Sequence, residues 1–291
     1  MLSSRLGSVL ILIVAMLGIQ FGASFAKQLF PLVGAPGATT LRLCFSALVL
    51  CLVFRPWRVR LDAAARRSIL IYGLSVGGMN TLLYLAIDRI PLGIAVALEF
   101  TGPLAVALWT SRRPLDFVWL LLAAGGLLLL LPTHQLSAGL DPLGVAYALG
   151  AGVCWFLYII FGQKSGAAVS GGAAIAWGMA VGALLVLPLG IATAGRQLLE
   201  PSVLPIGLAV ALVTSVIPYS LEMVVLRRLP AKTFSILMSL EPALGALSGF
   251  LVLREALTAT QTLAILCIIT ASLGSTLLAK PTPPPTPEVV N

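Results

Sequence analysis

Long apolar runs of about twenty residues alternate with short polar breaks along the chain, and this rhythm predicts ten membrane-crossing helices. The first covers roughly 8–30 and the second roughly 38–55, joined by a proline- and glycine-rich turn from Pro31 to Gly37. A basic loop, Arg55 to Arg67, leads to a third span over roughly 68–87 that ends at Asp88 and Arg89. The fourth, Ile90 to Arg113, opens at Pro91 and closes on Arg112 and Arg113, and the fifth runs from Pro114 and Asp116 to Pro132. After the polar stretch THQLSAGLD come a sixth span over roughly 142–163 and a seventh from Gly171 to Ala192. The eighth follows the loop Gly195 to Ser202 and ends at Arg227 and Arg228; the ninth is Leu229 to Leu253, and the tenth runs from about Leu257 to Ala279. The proline-rich tail PTPPPTPEVVN cannot continue a helix and is expected to be disordered. The N-terminal run, led by Arg5 and ending near Ala23-Ser24-Phe25-Ala26, has the outline of a cleaved signal peptide. Its removal would leave nine spans and break the repeat described next, so it is read as a retained first helix.

The fourth and ninth spans echo one another. Pro91 and Pro230, and likewise Pro103 and Pro242, stand the same 139 residues apart, and each span carries one deeply placed carboxylate, Glu99 or Glu241. Five spans per half is an odd number, so the second half enters the membrane upside down relative to the first. The expected fold is therefore an all-α polytopic membrane protein with ten transmembrane helices in a 5+5 inverted repeat. Residues 1–137 form the first half, 138–280 the second, and 281–291 the cytoplasmic tail. Inverted repeats with polar groups at the midplane are the layout of secondary transporters. Glycine pairs within the spans, Gly77-Gly78, Gly125-Gly126 and Gly171-Gly172, suit close helix contacts.

Composition agrees with the pattern. Of 291 residues 59% are hydrophobic and only 10% charged, against about 25% charged in soluble domains. The net charge of +8 comes from residues that punctuate span ends rather than form a patch, which argues against a nucleic-acid partner and for topology signals. With the N-terminus inside, thirteen Lys and Arg lie on the cytoplasmic side (Arg58, Arg66, Lys164 and Lys232 among them), against Lys27, Arg89, Arg196 and Arg254 outside. Both termini are thus expected in the cytoplasm. Cys44, Cys51, Cys154 and Cys267 fall inside spans without metal-site spacing and read as small packing residues. His134 stands alone in a loop, so neither a metal nor another cofactor is expected. No GxSxG, HExxH, Walker A or CxxC motif is present, which argues against an enzyme and leaves an ion gradient as the energy source.

Polar groups inside the spans are the candidate site. Glu99 lies about 12 Å along its helix from Pro91, close to the middle of a ~30 Å hydrocarbon layer. It can bind a cation, carry a proton or hydrogen-bond between helices. Glu241 precedes Pro242, and a carboxylate beside a broken helix at mid-depth is a plausible binding point. Glu222 lies near Arg227 and Arg228, so its carboxylate either snorkels toward them or faces inward. Arg42, the lone cation within a span, either neutralises a glutamate or meets a substrate carboxylate. Asn80 and Tyr84, at i and i+4, share one helical face. Gln20, Trp155, Tyr158 and Tyr219 complete the set, the aromatics serving as cavity wall or as packing.

Certain segments are specific enough to carry a resemblance. They are GASFAKQLFPLVGAPGATTLRL, GGMNTLLYLAIDRIPLGIAVALEFTGPLAVAL and SRRPLDFVW in the first half, with PYSLEMVVLRRLPAKTF and LMSLEPALGALSGFLVLRE in the second. Together they make the chain resemble the EamA group of the drug/metabolite transporter superfamily, most nearly the bacterial threonine/homoserine exporters. Arg254-Glu255 departs from the family in standing where many EamA repeats carry a Gly-Glu turn. The resemblance implies inner-membrane export of small zwitterionic amino acids driven by the proton gradient, with membrane lipid as surroundings. Efflux of drugs or purine-type metabolites is the alternative, and a non-transporting membrane receptor a third.

Overall fold

The computed structural model describes residues 2–26, 29–130, 140–169, 171–244 and 258–278, and every regular element among them is helical. The expectations placed on Lys27, on His134 and its loop, on Arg254-Glu255 and on the tail 281–291 lie outside the described residues. In chain order the helices are α1 (Leu2–Ala26), α2 (Phe30–Phe54), α3 (Ala63–Ile87), α4 (Leu92–Glu99), α5 (Thr101–Thr110) and α6 (Pro114–Leu130). The second half contributes α7 (Pro142–Ala168), α8 (Gly171–Ala194), α9 (Val203–Ala211), α10 (Ile217–Arg228), α11 (Ala231–Met238) and α12 (Ala259–Leu277). Among the described residues six apolar segments are long enough to cross a membrane: Phe30–Phe54, Ala63–Ile87, Pro142–Ala168, Gly172–Leu199, Val203–Arg228 and Ala259–Leu277. The chain is a multi-pass membrane protein.

Local signals set the helix boundaries. Asp62 caps α3 by accepting the Ala65 N–H at 2.6 Å, and Asp141 caps α7 by accepting that of Leu143 at 2.9 Å. Thr258 and Gln261 close a reciprocal capping box at the start of α12. Asp116 accepts the backbone N–H groups of Arg112 and Arg113 at 3.0 and 3.1 Å, which turns the chain sharply from α5 into α6.

Prolines and one glycine make three departures from the sequence-based expectation. The expected turn Pro31 to Gly37 is instead part of α2, which has Pro31 in its first turn and bends where Gly34 adopts φ 66° and ψ 173°. A proline near a helix start costs no hydrogen bond, and glycine alone takes that backbone without strain, so the segment bends without unwinding. The fourth span is two helices rather than one, because Pro103 has no N–H to offer the carbonyl of Glu99. The eighth is interrupted by a π-helical turn over Leu212–Val216, just ahead of Pro218.

Packing follows the alternation of faces. α2 lies against α8, α3 against α7 and α8, α1 against α10, α5 against α7 and α11, and α6 against α12. The largest apolar cluster runs through the centre, with Met16, Tyr72, Tyr158, Met179 and Phe234 fully or almost fully buried. Leu52, Trp109, Leu121 and Leu184 point outward, where lipid replaces protein as the apolar partner. α5 meets α7 with their backbones in contact: a Cβ on Gly102 would stand 2.1 Å from the carbonyl oxygen of Gly152. Of the glycine pairs, Gly77 and Gly126 sit at tight helix contacts, whereas Gly125 faces open space.

Candidate functional site

The helices line a cavity of about 170 Å³ between them. Eight of the ten residues singled out in the sequence line it: Arg42, Asn80, Glu99, Trp155, Tyr158, Tyr219, Glu222 and Glu241. They come from α2, α3, α4, α7, α10 and the helical turn over 240–244, so no single helix carries the site. Tyr84 is half-buried one turn beyond Asn80 and does not reach the cavity. Gln20 lies on α1 at a position whose side chain falls outside the described residues.

Arg42 and Asn80 make one wall. The bend in α2 and the packing of that helix on α8 aim the guanidinium inward, where it donates to Oδ1 of Asn80. Asn80 donates in turn to the carbonyl of Val76 at 2.8 Å, which fixes its amide. Arg42 forms no ion pair with any glutamate among the described residues, so of its two sequence roles the neutralising one is not realised in this structure. Its remaining donors are open to the cavity.

The rest of the polar lining is acidic and aromatic. Glu222 is buried and accepts a 2.5 Å hydrogen bond from the Tyr158 hydroxyl. The sequence left open that Glu222 reaches toward Arg227 and Arg228; the structure corrects this, because the α10 face that packs on α7 points the carboxylate into the bundle. Tyr158 is stacked on Tyr72 with ring centroids 5.3 Å apart and meets Tyr219 edge-on at 5.9 Å. Gly166 of α7 lies against Met223 and Arg227, which brings this part of α10 close enough for the Tyr158–Glu222 bond.

Glu99 ends α4, is 5% exposed, and sits beside Phe100, whose ring packs at 4.7 Å against Trp155. Glu241 is half-buried, its exposure facing the cavity. Among the described residues neither carboxylate takes a hydrogen bond or an ion pair. The cavity therefore offers two uncommitted carboxylates and one guanidinium at an organic-molecule scale. That combination suits a solute carrying both an ammonium and a carboxylate.

Ile19, Met79, Leu83, Thr214 and Met238 also line the cavity and were not singled out in the sequence. A signal for two of them exists. Thr214 and Met238 stand four residues before Pro218 and Pro242, as Glu99 stands four before Pro103, and a helical proline deprives that residue's carbonyl of its donor. Ile19, Met79 and Leu83 are ordinary apolar positions with no such mark. Among the described residues no cluster of His, Cys, Asp or Glu has the makings of a metal site, and all four cysteines are free.

Comparison with known proteins adds ancestry to this geometry. The EamA-like transporter family matches residues 142–277. The threonine/homoserine exporter RhtA of Escherichia coli strain K12 is 56% identical over 272 residues, spanning 94% of this chain and 92% of that protein. RhtA of Salmonella typhimurium is 54% identical over 275 residues, 94% of this chain and 93% of its own. A protein of known crystal structure superposes with a TM-score of 0.72 over 94% of this chain and 99% of the other, at 19% identity, which shows a shared fold. Identity above half, sustained across nearly the whole length of named exporters, places the chain among transporters rather than enzymes: it belongs to the EamA-like transporter family.

Proposed function

We propose that the protein is an inner-membrane secondary transporter that exports threonine, homoserine or a related small zwitterionic amino acid in exchange for protons. The observation that carries this reading is the cavity lined by Arg42 together with Glu99, Glu222 and Glu241. A substrate ammonium is received by Glu241 or Glu99 and its carboxylate by Arg42 with Asn80. Protonation of one of the three cavity carboxylates links export to proton entry. The relatives' names support the substrate. So does size: about 170 Å³ lies below the ~300–1,000 Å³ of sites for drug-sized molecules, which speaks against efflux of bulky amphiphiles.

Alternating access of two inverted halves, 1–137 and 138–280, is the proposed movement. α4 and α11 are each eight residues long, start after a proline at matching backbone angles, and lie 139 residues apart. The helix contacts also exchange in kind: α3 with α7 has its counterpart in α10 with α1, and α3 with α8 in α9 with α2. Both termini, including the tail 281–291, are assigned to the cytoplasm on the distribution of Lys and Arg.

The test is uptake of labelled threonine into inverted membrane vesicles with and without an acid-inside gradient. The expected result is gradient-stimulated uptake that homoserine competes away. Uptake indifferent to the gradient would remove proton antiport and leave a carrier. Absence of uptake for both amino acids, with insertion verified, would sink the substrate assignment.

A further inference from the structure

The three glutamates of the cavity differ in how they are held, and the difference separates their tasks. Glu99 and Glu241 have no hydrogen-bond partner among the described residues, whereas Glu222 is 2% exposed and clamped by the 2.5 Å bond from Tyr158. Tyr158 is itself 1% exposed. Stacked on it is Tyr72, 0% exposed, whose hydroxyl is buried without a hydrogen-bond partner among the described residues. An orphaned hydroxyl in the core costs stability and calls for an explanation. Depth adds a second distinction. Glu222 lies six residues before Arg228, about 9 Å along the helix from the basic face of the protein, and Tyr72 about 14 Å from Ala63 at the same face.

Resting on the proton-antiport reading above, we infer that Glu222 with Tyr158 is the proton carrier of the transporter, distinct from the carboxylates that receive the substrate ammonium, and that Tyr72 is the alternative partner of Tyr158 when Glu222 is protonated. With Glu222 ionised, the Tyr158 hydroxyl donates to it, as in this structure. When a proton adds to the carboxylate, Glu222 becomes the donor, and its O–H bonds to the Tyr158 oxygen. The Tyr158 hydrogen then turns to the oxygen of Tyr72, which satisfies the orphan. Loss of the proton toward the basic face reverses each bond, and no other group changes its proton count. The groups facing Glu222 are Tyr158 from α7, Tyr72 from α3, Tyr219 on its own helix and Glu241 from the turn over 240–244, with Arg42 of α2 bordering the same cavity. α1 and α8 bring no charged side chain among those described. Tyr158 and Tyr72 are positioning residues in this arrangement, and Glu222 alone bears the proton.

Two transport modes of the full-length protein in vesicles separate the tasks. Counterflow of labelled against preloaded unlabelled threonine, without a gradient, needs the substrate site but no net proton movement. Uptake driven by an acid-inside gradient needs both. Glu222→Gln is expected to keep counterflow near the wild-type rate and to lose gradient stimulation. Tyr158→Phe is expected to keep both modes while the midpoint of the pH dependence of driven uptake moves upward by roughly one to two pH units, because the ionised form loses its charge-assisted hydrogen bond. Tyr72→Phe is expected to slow driven uptake several-fold and to leave counterflow unchanged. Gradient stimulation surviving in Glu222→Gln overturns the inference, as does counterflow lost together with stimulation, which would make Glu222 a substrate ligand. Should Glu222→Gln fail to insert, an unmoved midpoint in Tyr158→Phe overturns it alone. Wild-type protein blind to the gradient is a different failure, that of antiport itself.

Discussion

Arg42 shows how much one residue decides here. It is the cation of the cavity, and its bond to Asn80 orients the planar fork without using all five of its donors. Replacing it removes a charged hydrogen-bonding partner from the proposed carboxylate subsite. Arg42→Gln is therefore expected to raise the KM for threonine roughly tenfold to a hundredfold with insertion unchanged, as measured by initial uptake in inverted vesicles. Arg42→Lys keeps the charge and loses the fork, so its KM should fall between the two. A wild-type KM in Arg42→Gln would move the substrate carboxylate to another part of the cavity.

Among the elements, the contact between α5 and α7 sets the geometry on which the site depends. Gly102 faces the Gly152 carbonyl, and immediately beside it lie Glu99, Phe100 and, one turn along α7, Trp155. Backbone cannot yield as a side chain does. Gly102→Ala should thus push α5 off α7 at a cost of about 1–3 kcal/mol, visible as a lowered Tm in detergent and as slowed uptake. A Tm equal to wild type would mean that the two helices separate at no cost. The elements also show what a sequence reading can and cannot reach. Apolar run lengths found the six membrane-length segments seen among the described residues, and polar residues within the runs found most of the cavity lining, because both signals are local. The bend at Gly34 and the inward turn of Glu222 were out of reach. The first depends on whether Pro31 begins a helix or a turn, the second on which face of α10 meets α7, and both are settled by packing between segments distant in the chain. Ile19, Met79 and Leu83 were invisible for the same reason, since an apolar side chain gives no sign of whether it faces lipid, core or cavity.

For the whole molecule, orientation is the property most open to a decisive test. The loop carrying Arg55, Arg58 and Arg60 is exposed, pinned by the Trp177 indole donating to the Pro56 carbonyl at 3.3 Å, and Arg196 is exposed in the loop after α8. In a background lacking the four native cysteines, Arg58→Cys should react with an impermeant maleimide only in inverted vesicles, and Arg196→Cys only in intact cells. Labelling of both from one side would defeat the proposed topology. Among the described residues two ion pairs tie together segments far apart in the chain: Asp116 with Lys232 at 2.7 Å joins α6 to α11, and Arg89 with Asp141 at 3.0 Å joins the end of α3 to the start of α7. The first is the better shielded of the two.

The prolines have a consequence for how the wall of the cavity can change shape. Glu99, Thr214 and Met238 each line it, and each stands where the proline four residues on cannot supply the usual backbone donor. The three positions belong to three different helical segments, and one of them has already relaxed into a π-helical turn. Each is a place where a segment can bend beside the cavity without breaking a further backbone hydrogen bond, so the wall can be remoulded while the side chains that line it stay the same.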